Sequence, residues 1–212
     1  LGTSCFSGCT SLEEAILPAA LKELPNAIFS NCTNLRNLTL QEGLEMIGQY
    51  IFSTTATSTP NVGLKELVIP ATVREFSRGA FMNLSALEKV TFTEGSRLEI
   101  MAYYAFRNCY KLQSITLPAS LKELTTVIAS WAKDGGSYRT YGGLHFMNCY
   151  ALKYIDMSAC ENITEIPTRT FGGCTQVETL LLPPNLEVIH DYAFADPLGV
   201  VNEASDAMRS LK

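Results

Sequence analysis

Apolar side chains recur along this chain in one order, Phe-x-x-Cys-x-x-Leu-x-x-Leu/Ile-x-Leu-Pro-x-x-Leu-x-x-Leu/Ile-x-x-x-x-Phe, and then the order starts again. The stretch from Phe6 through Cys9 to Leu12 returns as Phe29, Cys32 and Leu35, and again from Phe106, Phe146 and Phe171. The Leu-x-x-Leu-x-Leu part ends in strict alternation, the mark of a short strand with one buried face. One such strand cannot bury its apolar side alone. Successive copies must stack about 4.8 Å apart, and their strands then form a parallel sheet with a continuous core. The later Leu-x-x-Leu/Ile packs the opposite wall, and the Phe closes the coil. Pro18, Pro70, Pro118 and Pro183 share one slot, where the chain leaves the sheet and a missing N–H does no harm. The pattern predicts an α/β-type solenoid, mostly β: a right-handed coil with one parallel sheet of about seven short strands. These strands fall around residues 15–17, 38–40, 67–69, 90–92, 115–117, 155–157 and 180–182.

The repeat occupies residues 1–196 of one domain spanning 1–212. From Pro197 onward Val201, Ala204, Met208 and Leu211 recur at helical spacing, which predicts a C-terminal capping helix within 197–212. Leu1-Gly2 aligns with Ile47-Gly48, so the chain opens in mid-repeat, as expected either of a piece cut from a longer protein or of one whose preceding part processing removed.

These residues resemble the BspA-type leucine-rich repeat, and the resemblance covers nearly the whole chain. It implies the solenoid fold and an extracellular or cell-surface setting, with lipid anchoring as one mode of attachment. The family occurs on anaerobic oral and gut bacteria and on some parasitic protists. Adhesion or recognition of a host or partner protein is the function it implies. No catalytic residues come with it.

Seven cysteines are present, and Cys9, Cys32, Cys109, Cys149 and Cys174 share one slot, in which Leu84 stands once. A slot that accepts Leu is apolar and interior, so these thiols read as small buried hydrophobes. Disulfides between rungs and a metal site are the alternatives. Against them stand the parallel Cβ vectors of stacked rungs and the lack of a Cys-x-x-Cys pair.

A net charge of −5 with no basic run argues against nucleic acid. No apolar stretch approaches the ~18 residues of a membrane span. The histidines, His145 and His190, read as surface residues, and no nucleophile–base, phosphate-loop or metal-ligand motif appears. The chain is therefore read as no enzyme, with no cofactor and no metal.

Two insertions interrupt the period, at 53–63 and 130–145, and both are read as following the Phe slot and leaving one edge. The second carries Trp131, Tyr138, Arg139 and Tyr141, residue types concentrated at binding hot spots. Its glycines equally fit a decorative loop. The outward columns of the sheet contain Tyr154 and Asp156 as the most distinctive pair; the bland reading is ordinary strand surface. Four Asn-x-Ser/Thr triplets, at Asn31, Asn37, Asn83 and Asn162, are glycan acceptors only in a eukaryotic secreted setting. The expected partner is a protein or glycan bound by a monomer. A rigid spacer within a larger surface protein is the competing reading.

Overall fold

The computed structural model describes residues 1–52, 60–128 and 140–195. Their strands, in chain order, are β1 (Glu14–Ile16), β2 (Glu23–Leu24), β3 (Asn37–Thr39), β4 (Met46–Ile47), β5 (Glu66–Ile69), β6 (Glu75–Phe76), β7 (Lys89–Phe92) and β8 (Ile100–Met101). They continue as β9 (Ser114–Thr116), β10 (Glu123–Leu124), β11 (Val127–Ile128), β12 (Thr140–Tyr141), β13 (Tyr154–Asp156), β14 (Glu165–Ile166), β15 (Thr179–Leu181) and β16 (Val188–Ile189).

The coil has two sheet walls rather than one. The first wall holds β1–β3 and then the ladder β5–β7–β9–β13–β15, parallel throughout. Its register is the one the repeat implies: Tyr154 lies opposite Ser114 and Thr179, and Glu66 opposite Lys89. The second wall, expected to contribute side chains only, is a sheet in its own right, β2–β4–β6–β8–β10, with β14–β16 beyond it. The reason is backbone satisfaction. Leu24, Ile47, Phe76 and Met101 bury their side chains at this wall, and the peptide groups that come with them need partners, which the next rung supplies. The expectation of a single sheet is thus corrected. Among the described residues the links between strands are turns, with no helix, so the α part of the expected class is not met there. The predicted capping helix lies outside the described residues.

Rings of the Phe slot form the spine of the core. Phe6, Phe29 and Phe52 stack at centroid distances of 5.8 and 5.9 Å. Phe81, Phe106, Phe146, Phe171 and Phe194 continue at 5.3, 5.5, 5.1 and 5.2 Å.

Two turn positions adopt left-handed backbone in every described rung. One precedes the Cys slot and holds Gly8, Asn31, Asn83, Asn108, Asn148 and Gly173, with φ between 59° and 81°. Only Gly and Asn occur there, as the conformation prefers. Asn also bridges rungs: Asn108 Nδ2 donates to Asn83 Oδ1 at 2.7 Å, and Asn148 Nδ2 to Asn108 Oδ1 at 2.8 Å. The other position lies two residues before the Phe slot and is occupied by Ser4, Ala27, Tyr50, Gly79, Tyr104, Leu144, Arg169 and Tyr192.

The slot cysteines do more than fill space. The thiols of Cys32, Cys109, Cys149 and Cys174 point at the backbone carbonyls of Phe6, Phe81, Phe106 and Phe146, 3.1–3.4 Å away on the preceding rung. A thiol is apolar enough for the core and still a weak second donor to a turn carbonyl, as at Phe6, Phe106 and Phe146, which also accept from the backbone N–H of Cys9, Cys109 and Cys149. These four are buried and free; Cys9, at the open first rung, is exposed.

The first wall is split at one place. β3 and β5 share no ladder. At the other junctions the residue just before the strand donates to the rung below, as Arg36 N does to Glu13 O and Glu88 N to Lys65 O; Lys65 N makes no such bond to Arg36 O. A cleft of about 710 Å³ opens between them, lined by Arg36, Asn37, Leu38, Lys65 and Glu66 among others. Side chains close its ends: the Asn61 amide donates to Cys32 O and Leu35 O, and the Glu42 carboxylate accepts from Ala71 N and Thr72 N.

Candidate functional site

The outward face of the first wall presents strands in parallel register. Alternation along each strand sends residues 16, 39, 68, 91, 116, 156 and 181 outward, and the parallel register lines up Ile16 with Thr39 on one side of the split, Val68 with Thr91, and Thr116 with Asp156 and Leu181 on the other. Ile16 is 67% exposed and Val68 55%, high values for apolar side chains. On the same face Tyr154 Oη donates to Asp156 Oδ2 at 3.1 Å, and Asp156 Oδ1 accepts from Ser158 N and Oγ at 2.9 and 2.7 Å. The Ser158 hydroxyl, first among these contacts, holds the Asp156 carboxyl below its usual range; the bond to Asp156 raises the Tyr154 phenol. The pair expected from sequence is thus a fixed, charged spot on the sheet. At the wall's leading edge the rings of Tyr110 and Tyr150 stack at 5.5 Å, both exposed, a feature sequence reading did not single out.

Of the loop residues expected to bind, Trp131, Tyr138 and Arg139 lie outside the described residues. Tyr141 lies in β12, whose backbone pairs antiparallel with β11, Tyr141 opposite Val127. The insertion therefore stands on a hairpin base. Its place in the rung differs from expectation. Phe146 belongs to the aromatic spine, so this insertion precedes the Phe slot, whereas the one after Phe52 follows it. The two leave the coil at different points. At the foot of the hairpin, Gly142 is obligatory, because a Cβ there would run into the Thr168 backbone carbonyl.

A second cluster, missed in the sequence, lies on the left-handed turns before the Phe slot. Arg78 lies over the rings of Tyr50 and Tyr103, and Arg107 over Tyr104. The available signal was the pair of positions three and two residues before each Phe, where Tyr103-Tyr104 and Arg78-Gly79 stand in neighbouring repeats.

The histidines divide. His190 is on the surface, 2.8 Å from Glu165 Oε2, as expected. His145 is not: it is fully buried, its Nε2 3.1 Å from the Met101 carbonyl. The hairpin insertion ends beside it and brings its ring inward. Burial lowers its pKa from 6.5 to about 4. Among the glycan-acceptor triplets, Asn83 is buried and its amide accepts from Asn108.

The sequence matches the BspA type leucine rich repeat region over residues 1–63, 59–130 and 135–201. No curated protein matches it. Among solved structures, the leucine rich repeat protein of T. pallidum is 24% identical, with a TM-score of 0.63 over 84% of this chain and 70% of that one. A leucine rich cell surface protein from Faecalibacterium prausnitzii is 24% identical over 92% of this chain and 54% of its own, with a TM-score of 0.46. The pneumococcal vaccine antigen PcpA is 18% identical over 84% of this chain and 58% of its own, with a TM-score of 0.42. The treponemal likeness supports the fold alone. With three matched stretches covering most of its length, the chain belongs to the BspA-type leucine-rich repeat family.

Proposed function

We propose that the chain is a non-catalytic recognition module of an extracellular or cell-surface protein, and that it binds a protein partner in adhesion or host recognition. One observation carries this: the outward face of the first wall, with Ile16, Val68 and Leu181 exposed and Tyr110, Tyr150 and Tyr154 exposed with them. Apolar and aromatic groups gathered on one face mark interaction surfaces, and tyrosine anchors interfaces well because its large ring costs little entropy to order. The insertion carrying Trp131 and Arg139 would add contacts from the hairpin. Both histidines are otherwise engaged, which favours binding over catalysis. The test is capture on an array of purified extracellular-matrix proteins, followed by affinity measurement. Replacing Tyr150 and Tyr154 together by Ala should weaken a captured partner by about tenfold or more. Capture of nothing by the intact domain would leave the spacer reading in its place.

A further inference from the structure

The cluster on the turns before the Phe slot has a chemistry of its own. Its centre is Arg78. The guanidinium carbon lies 4.8 Å from the Tyr50 ring centroid and 5.7 Å from that of Tyr103. Nη1 donates to the Tyr103 hydroxyl at 3.2 Å. Gly79 admits the arrangement: its φ is +61°, and a Cβ there would enter the Tyr50 ring. Tyr103 meets Tyr104 edge to face at 5.1 Å, and Arg107 lies over Tyr104 at 5.1 Å. Tyr50, Arg78, Tyr103, Tyr104 and Arg107 thus form one strip across three successive rungs.

Unpaired arginines stacked on tyrosine rings set this strip apart. The net charge is −5, and several wall cations are paired, Lys22 with Glu45, Arg74 and Lys122 with Glu99, Lys153 with Glu178, while others such as Arg36 and Lys89 stand alone among the described residues, without aromatic neighbours. Among the described residues neither Arg78 nor Arg107 has a carboxylate partner. Arg107 Nε is buried with no acceptor. The tyrosines lie against the guanidinium groups, Tyr103 takes one N–H of Arg78 Nη1, and the remaining N–H groups outside the buried Arg107 Nε are left to meet a ligand. A planar fork held in this way matches a carboxylate bidentately, and the ordering cost has been met before the ligand arrives.

We infer that this strip binds an acidic peptide segment, Arg78 and Arg107 each taking a carboxylate while the tyrosine rings pack against the carboxylate stems. An extended segment with acidic residues at alternate positions carries them on one side, so that successive carboxylates face the same surface. Two separate arginines flanked by aromatic rings suit discrete carboxylates better than a densely sulfated chain, which is drawn to runs of basic residues. The strip lies on a different side of the rung from Tyr150 and Tyr154, so it stands independently of the protein-binding face proposed above.

The experiment is fluorescence anisotropy with a short dye-labelled peptide of alternating Glu and Ser, titrated with the intact chain at low and high salt. Binding should appear, weaken with salt, and fall about tenfold or more with Arg78→Gln or Arg107→Gln. Arg74→Gln removes the same charge from the second wall and should leave binding unchanged, as should Tyr150→Ala with Tyr154→Ala. If circular dichroism shows Arg78→Gln unfolded, Arg78→Lys keeps the charge without the fork and should still bind several-fold more weakly. The proposal is overturned if the intact chain does not bind the peptide, if Arg74→Gln weakens it as much as Arg78→Gln, or if Arg78→Lys binds fully. Binding of heparin without binding of the peptide overturns it in favour of a sulfated ligand.

Discussion

Acidification should cost this protein stability through a single buried imidazole. His145 donates from Nε2 to the Met101 carbonyl, which leaves Nδ1 as the unprotonated nitrogen, without a partner of its own. The Thr125 backbone would favour a second proton there, but burial outweighs it, and the pKa falls to about 4 against 6.5 for the ordinary side chain. Above pH 6.5 the ring is neutral in both folded and unfolded chains, and stability is independent of it. Between 6.5 and 4 the unfolded chain takes up a proton that the folded chain refuses, so stability falls as pH falls. Below 4 both forms are protonated and the loss levels off. The difference amounts to about 2 kcal/mol by pH 5 and approaches about 3 kcal/mol by pH 4. In a domain of this size 2 kcal/mol corresponds to roughly 4–8 °C in melting temperature. Carboxylates titrate in the same range, so the readout is a comparison. Thermal melts of the wild type and of His145→Gln, followed by circular dichroism from pH 7 to pH 4, should converge as the pH is lowered, because only the wild type carries the imidazole penalty. Parallel curves over that range would refute the argument.

Three further outcomes follow from the packing. Ellman's reagent on the native protein should react quickly with Cys5 and Cys9 alone and reach the other five only after denaturation, since burial pushes Cys160 up to about 11 and raises Cys109 and Cys149 further; fast reaction of all seven would show that the rungs open readily. Asn108→Gly keeps the left-handed turn but deletes both amide bonds of its ladder, and should lower stability by about 1–3 kcal/mol in urea titration, with Asn108→Ala costing more because its φ of 64° also becomes strained. Phe146→Ala should cost about 3–5 kcal/mol by the same measurement, because it opens a cavity between the rings of Phe106 and Phe171; a cost below about 1 kcal/mol would mean that the spine does not carry the core.

The repeat made much of this legible. Leu38, Leu67, Val90, Ile115 and Ile155 lie toward the core in the register that slot counting gives, and the outward columns lie where alternation puts them. What stayed hidden had a common cause: it depends on backbone groups. That two residues such as Glu23-Leu24 suffice for a second sheet follows from peptide hydrogen bonding, which leaves no apolar alternation to read. The cysteines read correctly as buried, yet their preference over Leu comes from a carbonyl on the neighbouring rung. His145 looked like a surface histidine because the hairpin's point of departure was misplaced by one slot. Tyr154 and Asp156 were found because strand alternation exposes them. The Arg78 strip was not, because a left-handed turn that accepts Tyr, Arg and Leu alike leaves no consensus.

The split between β3 and β5 makes the stack unequal in cooperativity. In a linear array, each unit is held by its neighbours, and an opening transition starts at the junction with the weakest coupling. Every other described junction among the central rungs has a ladder on the first wall, but here the only ladder is the second-wall one through β4 and β6, with single backbone bonds from Tyr50 N to Arg78 O and from Val62 N to Thr33 O beside it. Side chains of Asn61 and Glu42 supply local ties in place of a ladder. The junction between the rungs before Phe52 and those after Asn61 is therefore where opening should begin. Amide exchange in β1 and β3 should report a lower opening free energy than exchange in β7, β9 and β13.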